Sequence, residues 1–137
     1  MDRALERLAI AHRAVRTLAE LTELENPTDI ERDAAIQRFE YSFEASWKAV
    51  RAYLITYEGL VAGSPKRTIR SSRDAGLLDD TQTMLALEMA DQRNLTVHTY
   101  DEMLARAIFA KLPGYVDLMC AWLEAIDRTL PKLDLDE

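Results

Sequence analysis

The feature that most constrains this chain is a series of apolar side chains at helical spacing within residues 29–57. Its members recur at steps of three or four residues: Ile36, Phe39, Phe43, Trp47, Val50, Leu54 and Tyr57. That spacing places all of them on one face of an α-helix about six turns long. An apolar face of this length has to be covered by other helices, so the pattern predicts a helical bundle.

Helix-ending and helix-starting residues divide the first half of the chain. A first helix is predicted over 2–24 and ends before Asn26-Pro27. Thr28 and Glu31 form a capping box that opens the second helix, over about 29–57. His12 lies on the apolar stripe of the first helix, and we interpret it as a partly buried, hydrogen-bonded histidine rather than a catalytic one.

The second half contains three further helices. Ser64-Pro65 predicts the start of a short third helix that ends at Gly76. Asp79 or Asp80 caps a fourth helix that continues to about His98. The order Thr99-x-x-Glu102 matches a capping box and predicts a fifth helix from about 100 to 129. Pro113-Gly114 should kink this last helix.

The predicted fold is therefore all-α: an antiparallel helical bundle of four long helices plus one short helix, with no strand signals. The length of 137 residues suits a single domain, which we assign to 1–130, followed by an acidic C-terminal tail at 131–137. The fourth helix is apolar on two sides, with Leu85, Met89 and Val97 on one and Leu87 and Leu95 on the other. Such a helix packs within a bundle or across a dimer, and we expect a homodimer.

Composition limits the classes of partner and cofactor. A net charge of −7 argues against broad, nonspecific nucleic-acid binding, and no DNA partner is expected. No apolar run is long enough to span a membrane and the start lacks a secretory pattern, so the cytoplasm is the expected compartment. No His/Cys cluster has metal-ligand spacing and no Gly-rich phosphate loop occurs, so neither a metal nor a cofactor is expected. The lone cysteine, Cys120, is interpreted as buried and inert.

The short third helix is an exception to the acidic balance. It carries four cations before its first acid, Asp74: Lys66, Arg67, Arg70 and Arg73. Steps of three and four place most of them on one face. They are candidate contacts to RNA phosphates, and the alternative is an ordinary solvated helix face.

The chemistry of the chain is concentrated in residues 91–102. Arg93 supplies a fixed cation and His98 an imidazole that can accept or donate a proton, with Asp91, Asn94 and Tyr100 as polar neighbours. Arg93 and His98 are about 140° apart on an ideal helix, but a long arginine at a fraying end can reach the imidazole. This set suits metal-free RNA cleavage, in which the substrate's 2′-hydroxyl is the nucleophile. It equally suits simple binding of a phosphate or nucleotide.

Arg93 is expected to be half-buried, because it falls on the Met89 side of its helix. A half-buried arginine needs an anionic partner, which Glu44, Asp91 or a ligand phosphate could supply. Glu44 could instead belong to a solvated face with Glu40 and Lys48, spaced four residues apart.

Four blocks, in order, resemble one family. They are Phe39-Glu40-Tyr41-Ser42-Phe43-Glu44 with Trp47-Lys48; Ser64-Pro65 with Arg70; Gly76-Leu77-Leu78; and Arg93-Asn94 with His98 and Tyr100, which reads Arg-x4-His-x-Tyr. Over about residues 5–128 the chain resembles the HEPN domains, specifically the HepT and nucleotidyltransferase substrate-binding branch.

The resemblance implies a toxin that acts as a dimeric, metal-independent ribonuclease, with Arg93 and His98 as catalytic residues supported by Asp91, Asn94 and Glu44. It also implies a cognate minimal nucleotidyltransferase as antitoxin, which transfers AMP to the motif tyrosine, Tyr100. Related proteins are noncatalytic substrate-binding subunits of such a transferase, and that hypothesis stays open. A third hypothesis is a helical interaction protein whose motif is only a buried polar network.

Overall fold

The structure is a computed structural model that describes residues 2–60 and 62–135, with side chains up to residue 130. Helices are the only regular secondary structure in this part of the chain, which confirms the all-α class. The five α-helices are α1 (Arg3–Thr22), α2 (Asp29–Tyr53), α3 (Pro65–Asp74), α4 (Asp80–Leu95) and α5 (Glu102–Leu135).

The centre of the bundle is α2, which the predicted capping box begins. The Thr28 hydroxyl accepts from the Glu31 backbone N–H, and the Glu31 carboxylate accepts from the Thr28 N–H. A π-helical turn, Leu54–Glu58, extends α2 up to Gly59, whose φ of 65° ends it. The predicted apolar face is buried from Ile36 to Leu54, and Tyr57 is partly buried against it.

The neighbours of α2 cover this face from two directions. The Tyr57 hydroxyl donates to the carboxylate of Asp2, so the end of α2 meets the start of α1 and the two helices are antiparallel. α5 packs against both α1 and α2. His12 on α1 lies 2.9 Å from the carboxylate of Asp127 on α5, which confirms its interpretation as a partly buried, hydrogen-bonded histidine.

The short helix α3 is capped as predicted and is attached to α5 by a buried hydrogen bond. Ser64 is its N-cap, and Gly76 follows it with a φ of 79°. The Trp122 indole on α5 donates to the Ser72 hydroxyl over 3.0 Å, and Ser72 in turn donates to the backbone carbonyl of Thr68. This chain of bonds fixes how α3 lies on the bundle.

The connection between α4 and α5 differs from the prediction. Asp79 caps α4, and a 3-10 turn, Thr96–His98, follows α4 up to the predicted end at about His98. The predicted capping box at Thr99 is wrong, because Thr99 has φ −72° and ψ −2° rather than the extended backbone of an N-cap. Asp101 takes that place: its carboxylate accepts from the N–H groups of Met103 and Leu104. α5 therefore begins at Glu102.

α5 is helical from Glu102 to Leu135, including Pro113 and Gly114. The kink expected at this pair stays a prediction. Of the acidic tail predicted at 131–137, the backbone belongs to α5 up to Leu135, whereas its side chains and residues 136 and 137 lie outside the described part of the chain. Cys120 is partly rather than fully buried, and this burial raises the pKa of its thiol, as expected of an inert cysteine. Across the described residues no helix has a stretch long and apolar enough to cross a membrane.

Candidate functional site

Arg93 lies in the last turn of α4, and its side chain is only 25% exposed, as the sequence predicted. Its Nη1 lies 3.4 Å from the hydroxyl oxygen of Thr96, and that hydroxyl donates to the backbone carbonyl of Arg93 over 2.7 Å. Thr96 is itself buried. The 3-10 turn therefore fixes the direction of the guanidinium before any ligand binds.

Glu44 on α2 faces Arg93 and also pairs along its own helix. One carboxylate oxygen lies 4.0 Å from Nε of Arg93. The other accepts from the Trp47 indole over 3.2 Å and lies 3.7 Å from the ammonium of Lys48. Both interpretations of Glu44 hold together: it forms the helix pair with Lys48 and it places a negative charge beside Arg93.

The Nε atom of Arg93 is buried and has no hydrogen-bond partner among the described residues. Since 4.0 Å is too long for a hydrogen bond, the carboxylate of Glu44 balances charge without using this donor. A cavity of about 280 Å³ opens beside it. Its walls come from α2, the start of α3 and α4: Phe43, Glu44, Ser64, Pro65, Lys66, Ala90, Arg93 and Asn94. This motif cavity can hold an anionic group.

Asp91 was one of the anionic partners predicted for Arg93, but the ion pair it forms is with Lys66. Its carboxylate lies 2.6 Å from the ammonium of Lys66 and so connects α4 to α3. Through this pair Lys66 enters the motif cavity, while Asn94 lines the cavity from the same helix as Arg93. Of the four cations of α3, Lys66 alone is brought to the motif.

The other cations of α3 lie apart from Arg93. Arg70 and Arg73 line a separate cavity of about 540 Å³ between α3 and α4, together with Asp74 and Asp80. The carboxylate of Asp80 lies 3.5 Å from the guanidinium of Arg73. Arg67 is exposed. The positive surface predicted for α3 is thus partly neutralised by neighbouring acids.

His98 and Tyr100 form a second, exposed part of the site. The imidazole Nδ1 lies 3.2 Å from the Tyr100 hydroxyl, and the two rings meet edge to face with centroids 5.7 Å apart. Tyr100 is 84% exposed, so its ring does not seal the end of the bundle. No hydrogen bond joins this pair to Arg93 within the described residues. One chain therefore presents a His98–Tyr100 pair beside a separate cavity that contains Arg93.

Exposed apolar side chains flank the His98–Tyr100 pair in sequence and recur on α4. Val97, Tyr100 and Met103 are each more than two-thirds exposed, and Leu85 and Leu95 are exposed on α4. Of the three residues predicted on one side of the fourth helix, only Met89 is in the core: Leu85 is exposed within α4, and Val97 is exposed in the 3-10 turn. The surface beside the site is suited to a protein contact.

Sequence reasoning did not identify Arg32, which connects the start of α2 to the start of α5. It is only 6% exposed, lies 2.8 Å from Asp29, and lies 3.9 Å from Glu102, two residues after Tyr100. Glu102 is also bound by Arg106 over 2.7 Å. The sequence did indicate that Arg32 is buried, because Arg32 precedes Ile36 by four residues and so continues the buried face of α2.

Comparison with known proteins places this geometry in a family. The family model described as "Nucleotidyltransferase substrate binding protein like" matches residues 4–128. The chain belongs to this family. The match includes most or all of each of the five helices, the motif cavity and the His98–Tyr100 pair, and it supports the HepT branch of the HEPN domains that the motif resembles.

Three proteins illustrate the relationship within this family. A crystal structure of a Thermus thermophilus protein is 59% identical and superposes with a TM-score of 0.82, covering 83% of this chain and 96% of that one. HI0074 from Haemophilus influenzae, described as having the fold of a substrate binding domain of a nucleotidyltransferase, is 25% identical with a TM-score of 0.69, covering 85% and 96%. The Haemophilus influenzae protein named probable ribonuclease HepT is 33% identical over 86 residues. That alignment covers 60% of this chain and 58% of the relative.

Proposed function

We propose that this protein is the toxin of a HEPN and minimal nucleotidyltransferase module and acts as a metal-independent ribonuclease. The observation that carries the proposal is the state of Arg93: a half-buried cation with an unused Nε donor beside an open cavity. A phosphodiester in that cavity would lie against this half-buried guanidinium and balance its positive charge. The similarity to a probable ribonuclease HepT supports the same activity.

The reaction needs only the substrate and side chains of this kind. The 2′-oxygen attacks the adjacent phosphorus and loses its proton, and the 5′-oxygen of the next nucleotide leaves and gains one. The products are a 2′,3′-cyclic phosphate and a 5′-hydroxyl. Arg93 stabilises the charge that builds on the phosphoryl oxygens. His98, exposed beside it, handles the proton at the 2′- or 5′-oxygen.

A homodimer would complete the site. In one chain Arg93 lines the motif cavity, whereas His98 is paired with Tyr100 outside it. A second copy that covers Val97 and Met103 would bury their exposed apolar surface and bring two motifs to one cleft. Asn94 and Glu44 then support Arg93, and Asp91 holds Lys66 at the cavity.

Neutralisation would use the exposed Tyr100. In the proposed step the tyrosine oxygen bonds to the α-phosphorus of ATP, pyrophosphate leaves and the phenolic proton is lost. The cognate nucleotidyltransferase, the partner that the family implies, catalyses this transfer. The new phosphodiester would lie next to His98 and place a negative charge beside the group that handles the proton. We place this system in the cytoplasm, where RNA and ATP are available.

The second candidate function is a noncatalytic subunit that binds a nucleotide or other substrate for a partner transferase. The separation of Arg93 from the His98–Tyr100 pair within one chain favours it, because binding needs only the motif cavity. The description of HI0074 as a substrate binding domain points the same way.

Growth arrest distinguishes the two functions. Expression of the wild-type chain without a transferase should stop growth, and expression of Arg93→Ala or His98→Ala at the same level should not. Co-expression of the transferase should restore growth. If the wild-type chain is harmless and leaves total RNA intact, the substrate-binding function replaces the ribonuclease.

A further inference from the structure

A groove between α1 and α2 carries six cations on the surface of this acidic protein. Three cavities, of about 420, 320 and 480 Å³, lie end to end along it. The first and second share Arg7 and Lys48, and the second and third share Ile10 and Tyr41. The cations that line this α1–α2 groove are Arg3, Arg7, Arg13, Arg38, Lys48 and Arg51.

The charge of the groove is largely uncompensated. Glu44 is the one carboxylate among the residues that line the three cavities. Of the six cations, only Lys48 has a carboxylate oxygen within 4.0 Å in the described part of the chain, and that carboxylate is Glu44. This differs from α3, where Lys66 is paired with Asp91 and Arg73 with Asp80. In a chain of net charge −7, the groove is a local positive surface.

The dimensions of the groove suit an extended chain. It runs from Arg3 to Thr17 along α1, about 21 Å at 1.5 Å per residue. Cations line both walls, since Arg7 and Arg13 belong to α1 and Arg38 and Arg51 to α2. A compact anion would use one of the three cavities, whereas a continuous polyanion can use all of them.

Tyr41 adds a second kind of contact. It lines two neighbouring cavities near the middle of the groove and is 53% exposed, with the exposed Ile10 beside it. A positively charged groove with an accessible aromatic face is how proteins bind single-stranded nucleic acid without sequence preference. An acidic protein partner would use the cations but would have no particular need of the aromatic face.

The groove also leads to the motif cavity. Glu44 lines both the middle cavity of the groove and the cavity that contains Arg93. One side chain therefore separates the two, and its charge is compensated by Lys48 on one side and Arg93 on the other. A strand that follows the groove would pass Glu44 on α2 to reach Arg93.

We propose that the α1–α2 groove binds the backbone of single-stranded RNA beside the bond that is cut. The proposal rests on the ribonuclease function above and names the surface that holds its substrate. It gives the acidic chain a defined path for a polyanion, with Tyr41 stacking on a base and the arginines contacting successive phosphates.

The test measures binding separately from cleavage by using the His98→Ala chain throughout. The probe is a fluorescein-labelled single-stranded RNA of mixed sequence, about 20 nucleotides long. The groove variant is Arg7→Gln with Arg38→Gln. The matched control is Arg16→Gln with Arg128→Gln, which removes the same charge from two arginines outside the groove.

We expect the groove variant to bind roughly tenfold more weakly in moderate salt, and its salt slope to fall by about 1.4, or 0.7 for each lost contact to single-stranded phosphate. The control variant should match the parent within about twofold, since only its net charge changes. A third variant, Arg7→Lys with Arg38→Lys, should recover most of the slope because the point charges are kept. Circular dichroism and thermal melting establish that each variant is folded.

Equal affinity and slope for the groove and control variants would overturn the proposal. So would unchanged RNA binding with lost binding to the cognate transferase, which would make the groove a protein-docking surface. Failure of the ribonuclease has a different signature: the parent binds RNA through the groove, but the wild-type chain does not cut it. The groove proposal and the catalytic one can thus fail independently.

Discussion

The Nδ1 atom of His98 lies 3.2 Å from the hydroxyl oxygen of Tyr100, on an exposed turn between α4 and α5. This single contact connects the residue proposed to move the proton with the residue proposed to receive AMP. A bulky anionic group on the Tyr100 oxygen could not form without disturbing the position of the imidazole. Modification and catalysis would therefore exclude each other by geometry.

Tyr100→Phe should abolish AMP incorporation, because it removes the only atom that the proposed transfer uses. The measurement is the intact mass after incubation with ATP and the cognate nucleotidyltransferase. Tyr41→Phe is the control, since Tyr41 is also an exposed tyrosine. Mass added in AMP steps to Tyr100→Phe but not to Tyr41→Phe would contradict the assignment. RNA cleavage by Tyr100→Phe should persist in the presence of the transferase.

Asp101→Ala should lower the free energy of unfolding by about 1 kcal/mol, the usual cost of losing an N-cap carboxylate. The reason is that Asp101 accepts from the N–H groups of Met103 and Leu104 at the start of α5. Thr99→Ala should cost much less, because Thr99 caps no helix. Urea unfolding of both variants measures the difference. A larger loss of unfolding free energy in Thr99→Ala than in Asp101→Ala would mean that Thr99 caps α5, as the sequence predicted.

The core was predictable because its signal is local and periodic. Ile36 to Leu54 repeat at helical steps, and Thr28 with Glu31 is an unambiguous capping box. The start of α5 could not be predicted in the same way, because Thr99 and Asp101 are both residue types that cap helices. The choice depends on whether α4 stops before the turn or continues into it.

The surroundings of Arg93 were predictable only in part. The sequence left Glu44, Asp91 and a ligand phosphate as alternative partners, and the pairing of Asp91 with Lys66 depends on how α3 lies on α4. The α1–α2 groove was missed for a similar reason. Arg7 and Arg38 are far apart in sequence, and only the antiparallel packing of their helices brings them to one surface.

On α3, Arg67→Ala with Arg70→Ala should weaken RNA binding and lower the salt slope by roughly one to two units, if these exposed cations contact phosphates. The comparison is Arg73→Ala against Arg67→Ala alone, and Arg73→Ala should change the slope less because Arg73 already has Asp80 as a carboxylate partner. Fluorescence anisotropy over a salt series measures both. An unchanged slope in the first variant leaves α3 as an ordinary solvated face.

The protein should sediment as a dimer at micromolar concentration, with about twice the 15.6 kDa mass of one chain. Val97→Asp should shift it toward monomer, because it places a charge in the exposed apolar surface beside His98. Ile55→Asp changes an exposed apolar residue of the α1–α2 groove and should leave the dimer intact. A wild-type chain that sediments cleanly as a monomer would contradict the proposal that two chains form one cleft.

The central claim is that Arg93 and His98 act on one transition state. Arg93→Ala should reduce the cleavage rate about 10² to 10³-fold by removing charge stabilisation. His98→Ala should reduce it about 10² to 10⁴-fold by removing the proton-transfer group. The double variant should be little worse than the worse single variant, because the two groups serve the same step.

The most direct measurement is the rate at which the purified wild-type dimer, free of AMP on Tyr100, cuts RNA in the presence of EDTA. The account predicts cleavage that EDTA leaves intact, products with 2′,3′-cyclic phosphate ends, and near loss of activity in both single variants. A wild-type dimer that binds RNA but leaves it uncut under these conditions would contradict the account. Arg93 and His98 would then be ligand contacts of a substrate-binding subunit.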